Sequence, residues 1–172
     1  SVAITKADYS GTIQVNTSGK YGSEKTCDLA EWLPDGYVLG TPALSDDDSI
    51  FSGTPSVSGT ELHYTLADAA ENVKKTAKIT IPVKSSTNYN PFDLTITVTV
   101  LDKFAVTLKV ADISIVYGKT PQISGTATGS DGTANLDGTW EFVGEVPVNV
   151  PGGNVTVKFT PADTTNYQTP DP

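Results

Sequence analysis

Asp93-Leu94-Thr95-Ile96-Thr97-Val98-Thr99-Val100-Leu101 alternates apolar and threonine side chains without a break. Successive side chains on a strand point to opposite faces, so Leu94, Ile96, Val98 and Val100 share one face and Thr95, Thr97 and Thr99 the other. The same rule extends outward. Ala77-Lys78-Ile79-Thr80-Ile81-Pro82-Val83 reads as a second strand, in which Pro82 argues for an edge position or a bulge. Glu61-Leu62-His63-Tyr64-Thr65-Leu66 reads as a third, with Leu62, Tyr64 and Leu66 inward and His63 outward. Beyond Asp102-Lys103 a new run starts, Phe104-Ala105-Val106-Thr107-Leu108-Lys109-Val110, followed by a weaker strand, Gln122 to Ala127, and by Thr139-Trp140-Glu141-Phe142. Leu66 to Val73 carries enough alanine for one helical turn and no more. Many short strands separated by Gly, Pro, Asn and Asp predict an all-β fold of the sandwich type.

A phrase just before the opening stretch occurs twice. Ser85-Ser86-Thr87-Asn88-Tyr89-Asn90 is echoed by Asp163-Thr164-Thr165-Asn166-Tyr167-Gln168, and each follows a threonine-rich strand, the second being Val155-Thr156-Val157-Lys158-Phe159-Thr160-Pro161. Further upstream lie Gly59-Thr60 and Gly138-Thr139, 30 and 29 residues before their tyrosines. Phrase, strand and spacing together indicate a duplicated module, the way arrays are built. The chain therefore reads as two tandem β-sandwich domains, residues 1–102 with an extra N-terminal elaboration and residues 103–172. Leu62, Tyr64, Leu66, Ile79, Ile81, Leu94, Ile96, Val98 and Val100 are expected to form one core, and Val106, Leu108, Trp140, Phe142, Val155, Val157 and Phe159 a second. After Asn166-Tyr167 no counterpart of residues 93–101 follows, so the second domain is expected to lack its last strand. It should then be the less stable of the two, with an open edge, and adding ten to twelve residues, about one strand and its turn, should raise its melting temperature.

The charge balance excludes several partners. All 11 basic residues are lysine and the net charge is −9. Residues 1–103 hold 8 Lys against 13 Asp and Glu, and residues 104–172 hold 3 against 7, so both halves are acidic. Without arginine forks or a basic face, nucleic acid and anionic membranes are not expected partners. An acidic surface favours a soluble monomer. No apolar run reaches membrane-spanning length. The chain has no Met and no basic-then-apolar start, so it reads as a processed piece whose signal peptide and anchor lie elsewhere.

The run from Gly53-Thr54-Pro55-Ser56-Val57-Ser58-Gly59-Thr60 through Ala77 to Val83 and Asn88-Tyr89 to Thr99-Val100 resembles the Ig-like repeats of large secreted or wall-anchored surface proteins of Gram-positive gut bacteria. Ile115-Val116-Tyr117-Gly118-Lys119, with Phe159 to Tyr167, resembles the next repeat type in such arrays. The resemblance covers roughly residues 36–172. It implies Ig-like sandwiches serving as a stalk, spacer or adhesion segment at the cell surface. Neighbouring domains of the same array are the implied partners, with a host glycan or protein as ligand. It carries over no catalytic residue and no cofactor. Some surface sandwiches of this kind hold a Lys–Asn isopeptide bond, for which Lys6 is the candidate amine.

The candidates for chemistry are few. His63 is the only histidine, so neither a Ser-His-Asp triad nor a multi-histidine zinc site can be assembled. Asp46, Asp47 and Asp48 supply the oxygens calcium prefers, but three adjacent side chains cannot all face one ion, and a solvated turn is the simpler reading. Asp131, Asn135 and Asp137, in a loop with Asp-Gly pairs, form a second weak calcium candidate better read as turns. Cys27, the single cysteine, alternates onto the face of Leu29 and reads as a small buried hydrophobe without a nearby base. Trp32 and Tyr37, with Tyr9 and Tyr21, offer rings for the alternative function, a carbohydrate-binding module. Trp140 reads as a core anchor. Tyr89 and Tyr167 recur at one position and read as structural, each ring buried at a strand corner with its hydroxyl bonded to nearby backbone.

Overall fold

The computed structural model describes residues 1–45, 49–84 and 86–172. The chain is all-β with several sheets and divides into two compact units, Ser1–Asp102 and Lys103–Pro172.

Unit 1 contains β1 (Gln14–Lys20), β2 (Glu24–Asp28), β3 (Val38–Leu39), β4 (Ala43–Ser45), β5 (Ser56–Ser58), β6 (Glu61–Thr65), β7 (Thr76–Lys84) and β8 (Phe92–Leu101). One sheet runs β1-β8-β7-β3, with β4 also on β7, and the other runs β2-β6-β5. The opening stretch of sequence is β8, and it sits in the middle of the larger sheet. It pairs antiparallel with β7, from Thr76 opposite Thr99 to Val83 opposite Phe92, and parallel with β1, from Gln14 opposite Thr95 to Lys20 opposite Leu101. Leu94, Ile96, Val98 and Val100 from β8 meet Ile79, Ile81 and Val83 from β7 and Leu62, Tyr64 and Leu66 from the smaller sheet in one core. All the residues expected there are buried. Each such aliphatic side chain contributes about 1.5–3 kcal/mol on removal from water. The expected helical turn is a short 3-10 segment, Ala70–Asn72.

Pro82 is not on an edge strand, because β7 has neighbours on both sides. Its carbonyl accepts from Gly40 N–H at 2.7 Å, so its backbone polar groups face β3 and β4 rather than β8. That partner is itself interrupted between Leu39 and Ala43. The missing N–H therefore falls in a gap of the ladder and costs no bond to β8.

Unit 2 is thinner. β9 (Val106–Val110) pairs with β10 (Gly125–Gly129), and β11 (Gly138–Val143) pairs with β12 (Thr156–Pro161), making two antiparallel two-stranded sheets. Of the residues expected to fill a second core, Phe159 is buried, whereas Val106, Leu108, Trp140, Phe142, Val155 and Val157 are only half-buried. The expectation of a full second core is corrected. Two-stranded ribbons offer each apolar face too little opposing surface to close over it.

The structure also corrects the equivalence of the two Gly-Thr pairs. Gly59 precedes β6, in the smaller sheet of unit 1, whereas Gly138 opens β11, which lies directly on β12. Gly138 faces Pro161 and Val143 faces Thr156, just as Leu39 faces Val83 and Ser45 faces Lys78. β11 thus takes the place of β3 and β4, and β12 the place of β7. The two glycines serve different ends. Gly59 has φ +62 with nothing within 4 Å of an added Cβ, while a Cβ on Gly138 would strike the Thr160 carbonyl oxygen and lie 2.5 Å from Phe159 Cζ.

Candidate functional site

The repeated tyrosines build the same backbone clamp in both units. In unit 1, Ala7 N–H donates to Asn88 O at 2.9 Å and Asn90 N–H donates to Ala7 O at 2.8 Å, forming a parallel bridge from Ala7 to Tyr89. In unit 2, Phe104 N–H donates to Asn166 O at 2.8 Å and Gln168 N–H donates to Phe104 O at 2.9 Å, forming a parallel bridge from Phe104 to Tyr167. Each phrase thus holds the segment leading into its own unit. Rings reinforce both clamps. Tyr9 meets Tyr89 edge-on at 5.4 Å and stacks on Phe92 at 4.7 Å, and Phe104 lies 5.8 Å from Tyr167. Sequence reading found the tyrosines but not that Ala7 and Phe104 are their partners, because each bridge is made by main-chain bonds that leave no side-chain signature.

The loop after β10 is organised around Tyr167. Its hydroxyl donates to Asp131 Oδ2 at 2.8 Å and lies 3.1 Å from Thr133 Oγ1. The expected backbone partner for this hydroxyl is therefore replaced by a carboxylate. Thr133 donates its amide to Asp131 Oδ1 at 3.2 Å and its hydroxyl to Oδ2 at 3.0 Å. Desolvation pulls the Asp131 carboxyl upward, but the Tyr167 and Thr133 hydrogen bonds outweigh it and hold the group below its ordinary value. Both oxygens of this weak calcium candidate are occupied by protein donors. On the other side of the phrase, Asp163 Oδ1 accepts the amides of Thr165 and Asn166, and its Oδ2 accepts Asn166 Nδ2 at 2.7 Å. Asp46, Asp47 and Asp48 lie outside the described residues. Among the described residues no group of three or more His, Cys, Asp and Glu is placed to hold a metal ion.

The other aromatic candidates pack rather than project. Trp32 ends a 3-10 turn, Ala30–Trp32, whose start is fixed by Ala30 N–H donating to Asp28 Oδ1 at 3.0 Å. Trp32, Tyr37 and Tyr21 are partly buried against the unit 1 core. Trp140 is half-buried, 4.8 Å from Phe159, and its ring edge covers Gly125 of β10, so it joins the two ribbons of unit 2. Cys27 is half-buried against the unit 1 core. Its thiol is pushed up by burial first and by the neighbouring Asp28 next, with a Thr17 hydrogen bond acting the other way, which disfavours the thiolate. Lys6 is exposed outside any strand, where its Nζ donates to Ser86 O at 2.6 Å.

Two concavities stand out among the described residues. An open polar hollow of about 600 Å³ over β2 and β6 is lined by Glu24, Lys25, Thr26, Thr54, Ser56 and His63 among others. His63 is partly exposed there, as its alternation predicts, with Nε2 3.9 Å from Glu61 Oε2. A second, more apolar groove of about 670 Å³ lies in unit 2, lined by Ile113, Ile115, Tyr117, Phe142, Val148 and Val155 among others. Sequence reading placed Phe142 and Val155 in a core but passed over the rest of the groove, because residues 113–121 and 146–153 are irregular and carry no periodicity. No family model matches the chain, and searches of curated proteins and of solved structures likewise found no match.

Proposed function

We propose that the chain is a pair of Ig-like modules from an extracellular, cell-surface protein of a bacterium, acting without catalysis as a spacer or adhesion segment. The observation that carries this reading is the parallel pairing of β1 with β8 over seven residues. β1 lies near the start of unit 1 and β8 ends it. A pull that enters before β1 and leaves after β8 slides these strands along one another. The evenly spaced rungs of a parallel ladder are then loaded together rather than opened one at a time. Forced unfolding is governed by the unfolding rate, so such a ladder suits a segment under tension. The acidic surface of both units, with 20 carboxylates against 11 lysines, favours a monomer that stays apart from its neighbours. In this reading the partners are adjoining domains of the same array, with a host glycan or protein as the ligand of an adhesive role.

Pulling the full chain by its ends in a single-molecule force experiment tests the proposal. Unit 1 is expected to give one sharp rupture, releasing Ser1–Asp102 at about 3.3–3.6 Å per residue. Gradual lengthening without a rupture would contradict a load-bearing role. Retention on a glycan array that disappears in Trp32→Ala and Tyr37→Ala variants would replace the spacer reading with the carbohydrate-binding one.

A further inference from the structure

The smaller sheet of unit 1 loses its register at one place. β5 pairs with β6 from Ser56 opposite His63 to Ser58 opposite Glu61. The next bridge back along the chain joins Phe51 to Leu66, and Ser52 N–H donates to Thr65 O at 2.8 Å. Residues 52–55 therefore stand against residues 64 and 65 alone, four against two. The surplus chain leaves the ladder as a bulge. Its residues suit this: Gly53 adopts φ +92, which a side chain resists, and Pro55 has no amide proton to withdraw from the ladder.

The open polar hollow of about 600 Å³ lies at this bulge. Its floor is the middle strand β6, with His63 and Thr65. One side is β2, where Glu24 stands opposite Thr65 and Thr26 opposite His63. The other side is made by Thr54 of the bulge and Ser56 of β5. Alternation puts these strand side chains on the outer face, because Leu62, Tyr64 and Leu66 take the inner one. Lys25 alternates away, and its stem lies against Gly19 of β1. The hollow thus offers hydroxyls, one imidazole and one carboxylate.

A hydroxyl both donates and accepts, a neutral imidazole does the same through its two nitrogens, and a carboxylate accepts at both oxygens. The matching ligand carries a dense set of groups that donate and accept. A negative charge on it would meet the Glu24 carboxylate, Glu61 beside His63 and a chain of net charge −9. An ammonium group would use the acceptors and leave the donors idle. A neutral sugar ring, with a hydroxyl on most of its carbons, meets both requirements.

We infer that this hollow is a subsite for one neutral sugar residue of a glycan, with Glu24 accepting from adjacent ring hydroxyls and Thr26, Ser56 and His63 completing the contacts. Among the described residues no aromatic ring faces the hollow, since Tyr64 is buried in the core with its hydroxyl 3.1 Å from Thr17 Oγ1. A single sugar held by polar contacts in an open site binds in the millimolar range. The inference rests on the adhesive form of the proposed function and names the site that form would use.

The test uses the full chain, labelled with ¹⁵N, and the methyl glycosides of glucose, galactose, mannose and N-acetylglucosamine as probes. At least one should shift the amides of residues 24–26, 54, 56 and 63–65 in a saturable way and leave those of unit 2 in place. Glu24→Gln should weaken that probe by about tenfold or more, and Ser56→Ala by about threefold to tenfold. Ser58→Ala, further along β5, should leave it unchanged. All three side chains are exposed, so the variants should keep the spectrum of the parent chain. No shift with any of the four probes overturns the inference, as does undiminished binding to both Glu24→Gln and Ser56→Ala. N-acetylneuraminic acid bound as tightly at the same amides overturns the choice of a neutral sugar. Binding lost in Trp32→Ala and Tyr37→Ala but kept in Glu24→Gln overturns the choice of site. A chain that ruptures sharply under force yet binds none of the probes overturns this inference alone and leaves the spacer reading standing.

Discussion

Tyr167 shows how a repeated residue acquires a partner that the repeat does not specify. The recurrence of Asn-Tyr was legible because it is local. The Asp131 carboxylate that receives the hydroxyl is 36 residues away in a loop, beyond the reach of any periodicity. This pairing has a pH signature. Asp131 is held below its ordinary value in the folded state, so its contribution is complete above the unfolded carboxylate pKa, about 3.9. It is lost as the pH falls through the lower folded value. Tyr167→Phe should therefore lower the stability of unit 2 at neutral pH and flatten the acid limb of its stability profile. Hydrogen exchange of β11 and β12 amides between pH 3 and 6, corrected for intrinsic rates, reads this out. The two glycines give a second comparison at this scale. Gly59→Ala meets only backbone strain and should cost about 1–2 kcal/mol, whereas Gly138→Ala drives a Cβ into the Thr160 carbonyl as well as the Phe159 ring, so the β12 backbone must shift, and should cost about 3 kcal/mol, the upper end for overpacking. The first loss should appear in the thermal transition of unit 1 and the second in that of unit 2.

Among the elements, β7 and β8 were legible because alternation, burial and length agree in them. Leu94, Ile96, Val98 and Val100 of β8 are all buried, and the threonines between them are half-buried on the other face. Shorter elements were not legible. β3 and β4 hold two and three residues and are defined by their place on β7 rather than by their own pattern. β11 was legible as a strand, but its neighbour was not, and a coincidence of spacing between Gly59 and Gly138 suggested the wrong counterpart. Ile96→Ala, in the centre of the larger sheet, should destabilise unit 1 by about 2–5 kcal/mol. Trp140→Ala should cost unit 2 about 3 kcal/mol, the lower end for an aromatic truncation, because its ring is only half-buried. Urea titrations of both variants, followed by NMR signals from each unit, give these values separately.

At the scale of the whole molecule, one plan is carried out twice to different degrees. Both units carry a tyrosine clamp, but among the described residues only unit 1 has a long strand after it, β8. The sequence carried the duplication and the lone strand at residues 93–101. It did not show that the remaining ribbons of unit 2 fail to bury their own apolar faces, because alternation marks which face is apolar and not what covers it. The most direct measurement is native-state hydrogen exchange, residue by residue, on the full chain. Amides of β7 and β8 should open only with global unfolding of unit 1, those of β9 to β12 should exchange at lower opening free energies, and residues 112–117 should show little protection. Equal protection in the two units, or strong protection of residues 112–117, would contradict the account.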